Sequence, residues 1–316
     1  MQCVDSGPEV LAFQLPITAR PDRLDKVLAQ KIPEHSRSRL QSWVESGQVW
    51  VNGTPAKVRQ KVGPGDRIEV HVQPAPEQLA FTPEDVAFQV VAESPDWVVV
   101  NKPAGLVTHP GAGNWSGTLL NGLLFRFPEL ATVARAGIVH RLDKDTSGLL
   151  VVARNETTQT HLVRLLQART VKRTYVALVH GTVDHAGTIN RAIGRDPNVP
   201  VRMTVDRPIA PKEAITHFTP LARRCDAHDA KVSHVQCELE TGRTHQIRVH
   251  MASIRHPLVA DTLYGGKSVA GAQRQMLHAC ALSFIDPASN APVLFESPLP
   301  ADFLAVMAQL HWDASP

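Results

Sequence analysis

Leu24, Val27, Leu28 and Ile32 recur at helical spacing, so the chain opens with a short amphipathic helix. Ser36 is a candidate N-cap for a second helix, in which Leu40, Trp43 and Val44 share a face and Gly47 stands where a left-handed C-terminal residue belongs. Val49 and Val51 then alternate with polar neighbours into Asn52-Gly53. After the Gly63-Pro64-Gly65-Asp66 turn, Ile68, Val70 and Val72 alternate again, which predicts a small strand-turn-strand unit. Residues 15–73 therefore read as a self-contained module.

Residues 74–85 are rich in proline and polar groups without periodicity, the pattern of a semi-rigid linker. From residue 86 to 316 short apolar or alternating runs predominate: Trp97 to Val100, Leu149 to Ala153, Thr174 to Val179 and His234 to Glu240. Two helices stand among them, one carrying Leu162, Leu165 and Leu166, the other Ile247, Met251 and Ile254. Strands and helices do not alternate regularly, so the expectation is an α+β fold rather than a doubly wound sheet.

Composition changes this picture little. A chain of 316 residues with 43% apolar content can bury more than one core, in keeping with a small and a larger domain. A formal charge of +3 neither demands nor excludes a nucleic-acid partner. Cys3, Cys225, Cys237 and Cys280 show no CxxC pair, and they read as reduced thiols in a cytoplasmic protein. The first residues lack a signal-peptide pattern and no apolar run is long enough to span a bilayer, so neither secretion nor a membrane is expected.

Local charge is more telling. Between His35 and Lys61 stand Arg37, Arg39, Lys57, Arg59 and Lys61 against one acid, Glu45. Such a cluster is often only a solvated face. This stretch, RLDKVLAQKIPEHSRSRLQSWVESGQVWVNG followed by VGPGDRIEV, resembles the S-four RNA-binding domain, and the resemblance makes those five side chains candidate RNA contacts.

Four stretches of the larger region place polar residues beside apolar elements: Asn101 to Leu106, His140 to Gly148, Tyr175 to Val179 and Thr241 to His250. Taken alone, the loop around Asp143 admits a pair of metal-binding carboxylates with Asp145, or a hydrolytic triad of His140, Asp143 and Ser147. The first wants more ligands than this loop offers, and the second lacks a GxSxG elbow. His245 and His250 are five apart with no glutamate between them, unlike a zinc helix.

HRLDKDTSGLLVVA, followed by KRTYVALVHG, IGRDP, ETGRTHQIRVHMA, HPLVADTLYGG and LHACALSF, resembles the RluA group of pseudouridine synthases over nearly the whole chain. The resemblance implies a catalytic domain built on a mixed, mainly antiparallel sheet with flanking helices and a central cleft. It implies an isomerase that cuts the C1′–N1 bond of uridine, turns the base and joins C5 to C1′, with large-subunit ribosomal RNA or a pre-ribosomal particle as partner. Nothing is gained or lost in that reaction, so neither cofactor nor metal is expected, and a monomer suffices. The resemblance makes Asp143 the catalytic carboxylate, Arg243 its ion-pair partner and Tyr175 the aromatic beneath the target base. Arg141 would fill the space left by the everted nucleotide, Leu277 would form an aliphatic wall, and Lys102 and His140 would complete the substrate-binding set, with Lys102 bracing the floor rather than reacting. The same residues in an inactive chain would make a ribosome-assembly factor that only binds RNA. A metal-dependent RNA hydrolase is the third reading. Ala260 departs from a frequent glycine of the group, and Arg255 before His256 is unusual in it.

Overall fold

A computed structural model describes residues 9–73, 80–111, 113–225 and 230–312. The chain divides into two compact units, Met1–Gln78 and Leu79–Pro316.

In the first unit the described elements are β1 (Val10–Gln14), β2 (Asp22–Arg23), α1 (Leu24–Lys31), α2 (Arg37–Glu45), β3 (Val49–Val51), β4 (Thr54–Pro55), β5 (Lys61–Val62) and β6 (Arg67–His71). Ser36 caps α2 by accepting from Arg39 N, as its position before an apolar-periodic run predicts. Asn52 and Gly53 both have positive φ and close a tight hairpin between β3 and β4. The sheet order is β1-β6-β3-β4, so a strand preceding Leu15 belongs to the module; with a hydrophobic face alternating over only five residues, it gave little signal. Leu24, Leu28, Leu40, Trp43, Val49, Ile68 and Val70 fill the core between the helices and this sheet.

The second unit continues with β7 (Gln89–Glu93), β8 (Trp97–Lys102), α3 (Leu119–Arg126), β9 (Ser147–Ala153), α4 (Glu156–Gln167) and β10 (Lys172–His180). After these come β11 (Gly187–Asn190), β12 (Ile193–Arg195), β13 (Met203–Thr204), β14 (Ile209–Lys212), β15 (Ile215–Cys225) and β16 (Lys231–Leu239). The chain ends with α5 (Gln246–Ser253), β17 (Leu277–Ile285), β18 (Pro292–Glu296) and α6 (Ala301–Gln309). A nine-stranded sheet runs β11-β15-β16-β10-β17-β9-β8-β7, with β18 added beside β17. Among the described residues its one parallel pairing joins β9 to β17, and the other pairings are antiparallel.

Both faces of the central strands are covered, which is why these strands read as continuous apolar runs. Along β10, Tyr175, Ala177 and Val179 face a core shared with α3 and α5, while Val176 and Leu178 face α6. The segment after residue 79, read from sequence as linker, is in part docked: Asn121 of α3 donates to Ala80 O and Thr82 O. Residues 74–79 of that expected linker lie outside the described residues.

Candidate active site

The parallel pairing of β9 with β17 brings the loop before β9 against the start of β17. Gly148 allows it: its φ is +116°, and a Cβ there would lie 2.2 Å from Ala279 O. Each backbone carbonyl flanking Asp143 is then claimed by a different segment. Thr108 Oγ1 donates to Leu142 O at 2.8 Å, Lys102 Nζ to Lys144 O at 3.0 Å, and Arg274 Nη1 to Asp145 O at 3.0 Å. A loop held at three successive points presents its carboxylate in one geometry, and such preorganisation is what catalysis on a fixed atom requires.

Asp143 sits in a cavity of about 550 Å³, within the usual range for a small-ligand site. Tyr175, Leu277, Arg141, His140 and Arg243 line the same cavity, so the structure brings these expected residues together around Asp143. Lys102 does not join them. It is fully buried beneath the loop, donating to Pro103 O, Leu106 O and Lys144 O, and burial pushes its pKa down to about 7 against the opposing charges of Asp143 and Asp145. Its place is that of a brace, and the substrate contact expected from sequence is corrected.

A second correction concerns the guanidinium beside Asp143. Arg243, expected there, turns its Nε to Glu213 O at 2.9 Å. Arg248, one turn into α5, takes the position instead, with Nη1 donating to Asp143 Oδ2 at 3.1 Å. Its other edge is clamped by Asp261, Nε to Oδ2 at 2.7 Å and Nη2 to Oδ1 at 2.9 Å. Burial alone would lower the Arg248 pKa, and the two carboxylates reverse this and raise it. Periodicity carried a signal for this residue: Arg248 lies between Ile247 and Val249 in a helix buried from Gln246 to Met251, where an arginine demands a partner.

The turn into α5 is built around Gln246, which accepts from Thr241 Oγ1 and Arg243 N and donates to Ile215 O and Thr216 Oγ1. His245, at φ +57°, precedes the helix and directs Nε2 to within 4.0 Å of Asp143 Oδ1. Its Nδ1 meets Tyr264 Oη at 2.8 Å. That hydroxyl also accepts from Met203 N at 3.0 Å, which ties the imidazole to the β13 strand. Burial lowers the His245 pKa, with Asp143 acting the other way. Neither His245 nor Tyr264 was singled out as a site residue from sequence, although these residues and Tyr175 include both tyrosines of the chain.

Tyr175 is buried, and burial pushes its phenol up to about 12, so it is protonated at neutral pH. Six arginines line the cavity against Asp143 and Glu240, and Arg141 is exposed at its edge.

Residues 96–253 match the RNA pseudouridylate synthase family, and residues 22–68 match the S4 domain. A ribosomal large subunit pseudouridine synthase D of Neisseria meningitidis serogroup B is 49% identical, the match covering 96% of this chain and 83% of that protein. The chain belongs to the RNA pseudouridylate synthase family. An uncharacterised RNA pseudouridine synthase of Bacillus subtilis is 45% identical over 94% of this chain and 98% of its own length. The human RNA pseudouridylate synthase domain containing 1 structure is similar with a TM-score of 0.54 and 31% identity, covering 72% of this chain and 86% of that one.

As an RNA pseudouridylate synthase the chain isomerises uridine in RNA. The cavity brings together an oriented carboxylate, a buried aromatic and an arginine-rich lining.

Proposed function

We propose that the substrate is large-subunit ribosomal RNA and that Asp143 is the residue that acts on the target ribose. The observation that carries the second part is the Asp143–Arg248 pair, clamped from behind by Asp261, sharing one cavity with Tyr175. Arg248 balances and aims the carboxylate, either to attack C1′ or to take a proton from C2′. Tyr175 offers a flat face to a uracil that has left its stack, and Leu277 closes the wall beside it. Arg141 at the rim is suited to occupy the gap in the RNA, since a planar guanidinium both stacks on bases and bonds phosphate. For the ribosomal target, support comes from relatives of 42–49% identity that carry the ribosomal large subunit name.

The small unit supplies affinity. Lys57, Arg59 and Lys61 are exposed. Arg37 is bound to the buried Asp25, and Arg39 reaches Gln73 O and lies over Trp43, so both serve the fold of the unit while keeping part of their charge at its surface. In a single-turnover assay on an rRNA stem-loop, Asp143→Asn binds RNA and forms no pseudouridine; normal product formation by that variant overturns the proposal.

A further inference from the structure

Among the described residues, nine buried side-chain nitrogen or oxygen atoms have no hydrogen-bond partner. Four of them line the cavity just described: His109 Nε2, His140 Nδ1, Thr146 Oγ1 and Arg173 Nε. Buried polar atoms left unpaired are costly, and their concentration in one cavity points to a ligand that completes them.

Arg173 is the most demanding of the four. It is 93% buried, since its exposure is 7%, and it stands two residues before Tyr175 on β10 and lines the same cavity. Its neighbours are the carbonyls of Leu239 and Glu240, at the long distances of 3.4 and 3.3 Å from Nη2. Among the described residues no carboxylate forms an ion pair with it. A buried cation without a counter-charge is sustained only where an anion arrives. Gly242 leaves room for the guanidinium itself: a Cβ there would lie 2.6 Å from Arg173 Nη1.

His140 has the same polarity. Val151 N donates to its Nε2 at 3.2 Å, which places the imidazole proton on Nδ1, the atom without a partner. Burial and the nearby charge of Arg173 press the His140 pKa down to about 3, so it faces the cavity as a neutral donor.

We infer that Arg173, assisted by His140 Nδ1–H, binds the detached uracil and stabilises the negative charge it carries after the C1′–N1 bond breaks. When that bond cleaves heterolytically the electron pair stays on uracil, which becomes an anion spread over N1 and the ring carbonyls. The electron-poor C1′ is balanced by Asp143, through an ester bond or by loss of the C2′ proton to the carboxylate. Arg173 stays protonated throughout, lending charge while the ring turns above Tyr175, until C5 bonds to C1′ as the Asp143 ester bond breaks or the carboxylate returns its proton to C2′, and the C5 proton passes to N1. A preorganised cation in a dry cavity is a large source of transition-state stabilisation. This role rests on the reading of Asp143 and Tyr175 given above.

The test separates uracil from phosphate as the anion. Arg173→Met is expected to lower the saturated single-turnover rate about 100-fold, the usual consequence of losing one preorganised donor, with unchanged Kd for the rRNA stem-loop. Arg173→Lys recovers part of the rate. With 5-fluorouridine at the target position, whose N1 departs as a weaker base, the deficit of Arg173→Met in glycosidic cleavage shrinks. A weakened Kd with an unchanged saturated rate makes Arg173 a phosphate contact and overturns the inference, as does an equal deficit on both substrates. If Arg173→Met does not fold, Arg173→Lys decides by the same two measurements. Asp143→Asn is assayed alongside: wild-type turnover there defeats the reading of the carboxylate, whereas wild-type turnover by Arg173→Met beside an inactive Asp143→Asn defeats this inference alone.

Discussion

Arg248 and Asp261 are joined by two parallel hydrogen bonds through Nε and Nη2, and this fork aims Nη1 of the guanidinium at Asp143. The geometry makes Asp261 a positioning residue, acting on the Asp143 carboxylate through the arginine between them. Tyr264 reinforces it, with its ring centroid 5.1 Å from the Arg248 guanidinium carbon and its hydroxyl 2.8 Å from His245 Nδ1. Removing one member of such a buried set leaves the others without a counter-charge.

Arg248→Lys keeps the charge and loses the fork. The expected outcome is a fall in single-turnover rate on the order of 100-fold with RNA affinity retained. Arg243→Gln serves as the comparison, because Arg243 bonds a backbone carbonyl and not Asp143; its rate stays much nearer the parent enzyme. Equal losses in both variants would contradict the assignment of Arg248 as the partner.

Gly242→Ala drives a methyl group into the space of Arg173 Nη1. The guanidinium must move by a few tenths of an ångström or more, and a misplaced catalytic group can cost about 100-fold in rate. The variant should remain folded by thermal denaturation and turn over slowly at saturating RNA. A rate equal to the parent would mean that the position of Arg173 does not matter.

Ala260 occupies a left-handed conformation, φ +61°, next to Asp261. An L-residue pays roughly 1–2 kcal/mol there, partly offset in Ala260→Gly by the entropy of a freer unfolded chain and a lost methyl contact. The substitution should raise stability by about 0.5 kcal/mol in urea unfolding, with activity unchanged. A loss of stability would show that the methyl group contributes more than the strain.

Four histidines are held neutral by full or partial burial, which presses His140 down to about 3, and His109, His234 and His278 down to about 4. In the unfolded chain each takes up a proton below about pH 6.5. Between roughly 6.5 and 4 the unfolded state therefore binds more protons than the folded state, and stability falls as pH falls. Each histidine contributes at most about 1.4 kcal/mol per pH unit. Urea midpoints at pH 7, 6 and 5 should decline steadily, and His234→Gln should flatten the slope; a slope insensitive to that change would remove His234 from the account.

In the small unit, replacing Lys57, Arg59 and Lys61 together by glutamine should weaken rRNA binding and flatten its dependence on salt, because fewer counterions are released. The saturated rate of the chemical step should not change. Arg37→Gln has a different signature. It leaves the buried Asp25 with fewer partners, so this variant should lose stability in the small unit, detected by hydrogen exchange.

Part of this protein was legible from spacing alone. Ser36 before an apolar-periodic run specified the start of α2, Asn52-Gly53 specified a hairpin, and the runs at Trp97, Leu149 and Thr174 specified buried strands, because caps, turns and alternation are set by neighbours along the chain. The strand at Val10–Gln14 was not legible, being short and recognisable only by its pairing with β6. Motif order carried Asp143 and Tyr175 into one site.

Which guanidinium would meet Asp143 was a different kind of question. Arg243 and Arg248 stand five residues apart in one motif, and the sequence by itself determined only that an arginine would come from this stretch. Left-handed backbone at His245 and the start of α5 at Gln246 turn Arg243 toward Glu213 and carry Arg248 inward, where Asp261, 118 residues beyond Asp143, is waiting. A side chain's direction follows from the helix phase and from long-range partners, so that choice was made by the tertiary structure.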